Sequence, residues 1–325
     1  MAFANPNISD LMATTIEHRS KKIADNVSAN NALLNRLSTK GRKKKISGGT
    51  YIMEELSFAE NTNAGFYSGY DILPTGISDV ISAAQYDWKQ AAVPVVISGL
   101  EMLQNSGKER MIDLLESRLQ VAENTMANLI SNSLYSDGTG AGGKEIDGLD
   151  AMIPLDPTAA PYGGIDGAAF PFWQNAVSDQ TAVDGLDPTK IQGYWNLLWS
   201  ELVRGSDRPD LILADGTVWN TYINSLQANQ RFTNTNSADA GFTTVKFMDC
   251  DVVLDGGIQR STHGTGAPAG TAYFLNTDYL KLKVHSARDM VSLSPTKRYA
   301  VNQDAETQIL GWAGNLCCSG RQFQG

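Results

Sequence analysis

Six consecutive residues, Gly138-Thr-Gly-Ala-Gly-Gly143, carry the G-x-G-x-x-G spacing. In dinucleotide sites that spacing lets backbone amides close on a pyrophosphate, but only where the turn leaves a strand and opens a helix. Here the run follows a predicted long helix and leads into Lys144-Glu145-Ile146. The context reads as a loop at a helix exit. Three histidines exist, His18, His263 and His285; none is four residues from another, and none neighbours a cysteine at metal-ligand spacing. His263 lies in Ser261-Thr-His-Gly264, which reads as a solvated turn. No G-x-S-x-G elbow and no H-E-x-x-H helix occurs. The residues therefore assign no catalytic, cofactor-binding or metal-binding position, and no cofactor. A serine, histidine and carboxylate brought together only in space, as in a cytosolic hydrolase, stays open as the enzyme alternative. Cys250, Cys317 and Cys318 make an odd count, which is no disulfide framework, and a reducing compartment fits them best.

Charge is the next source of chemistry. The chain of 325 residues has a formal net charge of -9. Residues 1–45 hold nine basic and three acidic residues, a local excess of +6, and the remainder is -15. An acidic body argues against a general nucleic-acid binder. A basic segment on an acidic body points to docking on an acidic surface, such as a neighbouring subunit's. The cluster Arg42, Lys43, Lys44 and Lys45 is open to two readings, electrostatic docking or a solvated run that blunts a strand edge. Nucleic-acid contact is a weaker third. No apolar run approaches the ~18 residues of a membrane span, and Met1–Asp10 has no signal-peptide pattern.

Several elements must position these groups. Residues 7–38 read as a partly helical arm with a thin apolar stripe. Residues 45–58 alternate, and a second extended stretch, Phe66 to Leu73, follows a turn; the pair reads as a long β-hairpin. A free two-stranded hairpin is marginal in water, so it needs a surface to lie on. Residues 77–98 read as extended. Ser106-Gly-Lys-Glu109 is a capping box. It opens a helix over 107–135, on which Met111, Leu115, Leu119, Ala122, Met126 and Leu129 share one stripe. Asp187-Pro188 starts a helix with Ile191, Tyr194, Trp195, Leu198 and Leu202 on one face, ending at Gly205. Leu211–Ala214 reads as a buried strand and Asp215 as the cap of a further helix. Val245–Leu254 and Ala272–Val284 each read as one strand, and 287–325 as long extended segments. Helices and strands alternate without a βαβ rhythm, which argues for an α+β fold.

The order of these pieces resembles the major capsid proteins of tailed bacteriophages. The phrases Ile146-Asp-Gly-Leu-Asp-Ala-Met-Ile-Pro154, Gly163-Gly-Ile-Asp166, Phe172-Trp173, Tyr273-Phe-Leu-Asn-Thr-Asp-Tyr-Leu280 and Ala305-Glu-Thr-Gln-Ile-Leu-Gly-Trp-Ala-Gly314 look similar to one branch of that family. The resemblance implies a capsid fold with an N-terminal arm (1–40), an extended hairpin loop (41–76), a peripheral domain in two parts (77–145 with the spine helix, and 284–325) and an axial domain (146–283). It implies a shell subunit and no enzyme. Expected partners are copies of the chain in hexameric and pentameric capsomers, a scaffolding protein encoded separately if present, a portal, a possible decoration protein and DNA enclosed without sequence-specific binding. The expected location is the virion capsid, after assembly in the host cytoplasm. Contacts between subunits are expected from Arg42, Lys43, Lys44, Lys45, Ile52, Leu56 and Phe58. The nearest rival with the same fold is an encapsulin-type nanocompartment shell.

Overall fold

Four stretches of the chain converge on one strand near the C-terminus. The computed structural model describes residues 32–104, 108–180, 185–226, 244–255, 267–293, 298–299 and 305–325; at 102–104, 108–116, 244, 298–299 and 305–306 only the backbone is described. The principal elements are α1 (Ala32–Thr39), β1 (Lys43–Ile46), β2 (Ile52–Ser57), β3 (Ile81–Tyr86), β4 (Lys89–Ser98), α2 (Gly99–Gln104) and α3 (Lys108–Ser133). There follow α4 (Ile191–Leu202), β5 (Leu211–Ala214), α5 (Gly216–Ser225), β6 (Thr244–Phe247), β7 (Cys250–Leu254), β8 (Ala272–Leu275), β9 (Leu280–His285), β10 (Val291–Ser292), β11 (Arg298–Tyr299) and β12 (Ala305–Cys318).

The convergent strand is β12. Ten of its residues pair antiparallel with β4, from Ala305↔Ser98 to Gly314↔Lys89. On its other edge lie β11, β10 and β9, successive pieces of one antiparallel run. β1 adds to β9 in parallel, Lys43↔Leu282 to Ile46↔His285. Residues 310–318 are all buried, so both faces of the strand are covered there. Gly314 is required by close approach, since a Cβ there would collide with the Lys283 carbonyl and the Trp312 ring. The long helix α3 packs on β4.

A second sheet has the order β6-β7-β5-β8, and its central strand β5 is buried on both faces. Ile212, Ala214, Val252 and Phe274 face a core built with α4 and α5, where Trp195 stacks on Tyr222 at 4.5 Å and meets Phe247 and Phe274 edge-on at 5.3 Å each. Leu211, Leu213, Val253 and Leu275 face the larger core, which gathers α1, β2, β3, the end of α3, residues 146–173, β9 and β12. Burial on both faces explains why Leu211–Ala214 reads as an uninterrupted apolar run.

Three sequence expectations are corrected. The second strand of the hairpin is β3, not 66–73: β2 pairs with β3 from Ile52↔Tyr86 to Ser57↔Ile81. Within 66–73 the chain turns instead, with Ser68 N–H donating to the Asp71 carboxylate at 2.8 Å and Gly69 at φ +36°. Val245–Leu254 is a tight hairpin rather than one strand, because Met248 adopts φ +53° and reverses the chain. Ala272–Val284 is two strands in two different sheets. The Asn276 side chain accepts from Asp278 N–H at 3.1 Å and makes the turn between them. The capping box at 106–109 lies partly outside the described residues. One is present at the start of α2, where Ser98 and Glu101 bond each other's backbone amides at 3.1 and 3.3 Å.

Candidate assembly surfaces

Three of the four residues of the basic cluster are paired within the chain. Strand β1 lies beside β9, so its side chains reach acids that are distant in sequence. Arg42 pairs with Asp278; Lys43 and Lys45 hold the two oxygens of Asp289 at 2.6 and 2.9 Å. Burial would push the Asp289 carboxyl up, but its bonds to Lys43 and then Lys45 outweigh this and hold it below its ordinary value. Upstream, Arg36 on α1 and Lys40 just past it reach Asp210, and Arg36 also reaches Asp251 at 3.5 Å. Lys44, on the opposite face of β1, is exposed. Arg42, Lys43 and Lys45 are thus docked on acids of the same chain.

The hairpin's apolar residues also pack within the chain. β2 alternates Ile52, Glu54 and Leu56 inward with Met53, Glu55 and Ser57 outward. Ile52 and Leu56 sit in the larger core, and Phe58 stacks on Phe172 at 5.6 Å. The inward Glu54 is bonded by Lys281 at 2.8 Å and Lys283 at 2.7 Å, two β9 residues on one face of that strand. These pairs bind the hairpin base to the body.

Beyond Phe58 the character changes. Residues 58–80 form a loop that is tied across by Asn63 Nδ2–H to the Gly76 carbonyl at 2.5 Å and by Thr62 N–H to Ser78 Oγ at 3.4 Å. Its large apolar side chains find no cover. Relative exposure is 110% for Phe66, 104% for Tyr70, 96% for Ile72 and 97% for Ile77. Tyr67 and Leu73 are also exposed, and so, on the outer face of the hairpin, are Tyr51, Met53 and Ile81. Single exposed hydrophobics are ordinary; this many on one projecting element mark a surface that meets something else. Sequence reading took the loop for a strand. Its signal was the density of aromatic and branched residues without alternation.

On α3 the buried stripe comprises Ala122, Met126 and Ile130, continued by Leu134 just past the helix. Leu119 is half-buried, and Met111 and Leu115 lie where only backbone is described. Leu129 is a correction: it is 43% exposed, because the buried line advances in steps of four and leaves position 129 on its flank. Val121 is exposed beside it.

The groups that could do chemistry are dispersed. Gly138–Gly143 follows α3 as a loop and a short turn, with Gly138, Gly142 and Gly143 at positive φ, and Lys89 donates to the Gly143 carbonyl at 2.8 Å. His285 lies edge-on to Trp88 at 5.4 Å, and its Nδ1 accepts from Ala287 N–H; His18 and His263 fall outside the described residues. All three cysteines are buried and unpaired. Burial pushes their thiols up, that of Cys318 to about 12. Among the described residues no cluster of His, Cys, Asp and Glu could hold a metal ion, and no helix is long and apolar enough to cross a membrane.

No family model matches the chain, and no curated protein matches it in sequence. Solved structures do match in fold. The capsid asymmetric unit of cyanophage A-1(L) superposes with a TM-score of 0.68 at 16% identity, over 93% of each chain. The capsid of a native GTA particle gives 0.56 at 10% identity, covering 99% of this chain and 98% of that one. The capsid of an empty GTA particle gives 0.55 at 12% identity, covering 95% and 93%. The chain has the α+β fold of tailed-phage capsid proteins across nearly its whole length.

Proposed function

We propose that this chain is the major capsid protein of a tailed phage, a structural subunit without catalytic activity that assembles into pentameric and hexameric capsomers and closes an icosahedral shell around DNA. The observation that carries the reading is the loop at 58–80. It projects Phe66, Tyr70, Ile72 and Ile77 into solvent from a fold shared with capsid shells. A second copy of the chain is the occupant that a shell supplies to every such loop, and closure multiplies each weak contact. The two sheets fit a division into a peripheral part, around β12 and α3, and an axial part, around β5, with 1–40 as an arm. The enclosed DNA is held without sequence reading, in keeping with a net charge of -9. A scaffolding protein, a portal and a decoration protein are partners consistent with this role, which places the chain in the virion after assembly in host cytoplasm.

Electron microscopy of the expressed full chain, alone and with proteins encoded beside its gene, tests the reading. Rings or shells of regular subunits are expected. A chain that stays monomeric at high concentration under all these conditions overturns it. Shells filled by an enzyme rather than nucleic acid would instead make it a nanocompartment of the encapsulin kind.

A further inference from the structure

The outward face of the sheet around β12 is apolar and uncovered. On β4, Gln90, Ala92, Pro94 and Val96 alternate into solvent, while Val95 and Ile97 are buried where α3 packs on the strand. Ala92 and Val291 are both cross-strand partners of Gly311, so the three stand in one row on that face. Leu293 folds over Gly311, where an added Cβ would meet it at 2.5 Å. Val96, Val291 and Leu293 are exposed. A depression opens here, with Gln90, Ala92, Arg288, Leu293, Gly311 and Trp312 among its walls. An exposed apolar face of this kind marks a contact.

Charge indicates what the contact is with. Arg288 is exposed and donates to Gln90 Oε1 at 2.6 Å. Among the described residues it pairs with no acid, and the adjoining Asp289 is taken by Lys43 and Lys45. Other exposed apolar side chains stand beside acids or beside a base already engaged. Leu155 precedes Asp156, Met248 precedes Asp249, and Leu197 is one helical turn from Glu201. Val121 is one turn from Arg118, which is bonded to Glu101 at 3.0 Å. The loop at 58–80 is the complement of the β4–β12–β10 face: it is apolar and holds Glu60, Asp71 and Asp79 with no base. Ile72, fully exposed, directly follows Asp71. Only one Asp71 carboxylate oxygen accepts a bond among the described residues, from Ser68 N–H.

We propose that this face receives the 58–80 loop of a second copy of the chain, with Ile72 entering the depression and Asp71 meeting Arg288. The inference rests on the shell function proposed above and adds the receiving site to it. Within one subunit the loop and the face are both left exposed, so neither covers the other. Docked together, they bury both sets of apolar side chains, which supplies the affinity. The single ion pair supplies the register, because a loop shifted along the face would leave Asp71 without a base and Arg288 without an acid.

A charge exchange in the full chain tests it, read by sedimentation across a dilution series. Arg288→Glu alone and Asp71→Arg alone should each raise the critical concentration for assembly about tenfold, because like charges then meet at the contact. The two together should restore it to within about threefold of native. All three variants should melt as the native subunit does, since both side chains are exposed. A second measurement covers the case in which Asp71→Arg disturbs its own turn. The three native cysteines are buried. Ile72→Cys with Ala92→Cys should therefore give, on mild oxidation of assembled protein, a ladder of covalent oligomers that neither single variant gives. Restoration or the ladder bears the site out. Native assembly with neither overturns the docking site and leaves the shell reading standing, whereas a native chain that never assembles overturns both.

Discussion

Replacing Phe66, Ile72 and Ile77 together with serine should disable assembly and leave the subunit intact. The three side chains are 110%, 96% and 97% exposed, so the isolated chain gains nothing from them. The loop's own fastenings, Asn63 to Gly76, Thr62 to Ser78 and Ser68 to Asp71, are polar and untouched. Full burial of one such side chain contributes roughly 1.5–3 kcal/mol. If a neighbour covers each by half, the triple variant loses roughly 2–4 kcal/mol per subunit contact. At 1.4 kcal/mol per tenfold, the critical concentration for assembly rises by about 30- to 1,000-fold. Sedimentation across a dilution series reads that concentration, and a thermal melt of the unassembled subunit reads its stability. Assembly at the native concentration refutes the reasoning. A melt lowered by many degrees refutes it too, because the loop would then belong to its own subunit's core.

Lys43→Glu with Lys45→Glu should destabilise the subunit by roughly 1–3 kcal/mol, the cost of leaving a partly buried group without its partners, since Asp289 would face two like charges; an unchanged melting temperature would show the pairs to be idle. Because Asp289 is held below its ordinary carboxyl value, the stability it contributes is present above about pH 4 and fades as pH falls further, which acid melts of native chain and Asp289→Asn should show as converging curves. Met126→Ala, at a wholly buried position of α3, should cost roughly 2–5 kcal/mol, whereas Leu129→Ala should change the unassembled subunit's melt little; equal effects would mean that the helix packs on a different face. Assembly should depend weakly on sodium chloride and be promoted by sulfate, as apolar contacts are; a steep loss between low and moderate chloride would assign the contact to charge instead.

What the sequence made legible was local. The cap at Asp215 starts its helix because a short acceptor side chain meets a free amide two residues on, whereas Asp187 makes the same bond in the turn before α4, whose first residue is Ile191. The run Leu211–Ala214 announced a strand covered on both faces. The line through Ala122 and Met126 was readable from spacing, although Leu129 shows how one step of three in place of four leaves the face. What stayed hidden was pairing over long separations. Nothing near Ile52 indicates that its partner is Tyr86 rather than a residue of 66–73; that register is set by the common core beneath both strands. Nothing local marks Glu54 as inward-pointing; it points inward because Lys281 and Lys283, more than two hundred residues later, are placed to meet it. Ser98 and Glu101 have the spacing of a capping box, but Ser98 is also the last residue of the extended strand β4, which masks the helix start.

The asymmetry of charge has a physical reading that the pairing makes specific. Residues 1–31 carry three basic and three acidic residues, so the whole excess of +6 belongs to Arg36, Lys40, Arg42, Lys43, Lys44 and Lys45. Five of these six are bonded to acids of the same chain, namely Asp210, Asp251, Asp278 and Asp289. The basic segment and the acidic body are therefore two halves of one intramolecular contact. It fixes α1 and β1 against β9 and the second sheet. Charge fastens the base of the hairpin at home, and a rigid base is what lets a long loop present its tip at a defined place. The tip carries Glu60, Asp71 and Asp79 and no lysine or arginine. Whatever receives it must therefore offer apolar surface first, and cannot be another copy's equivalent loop alone, since that would set like charges together.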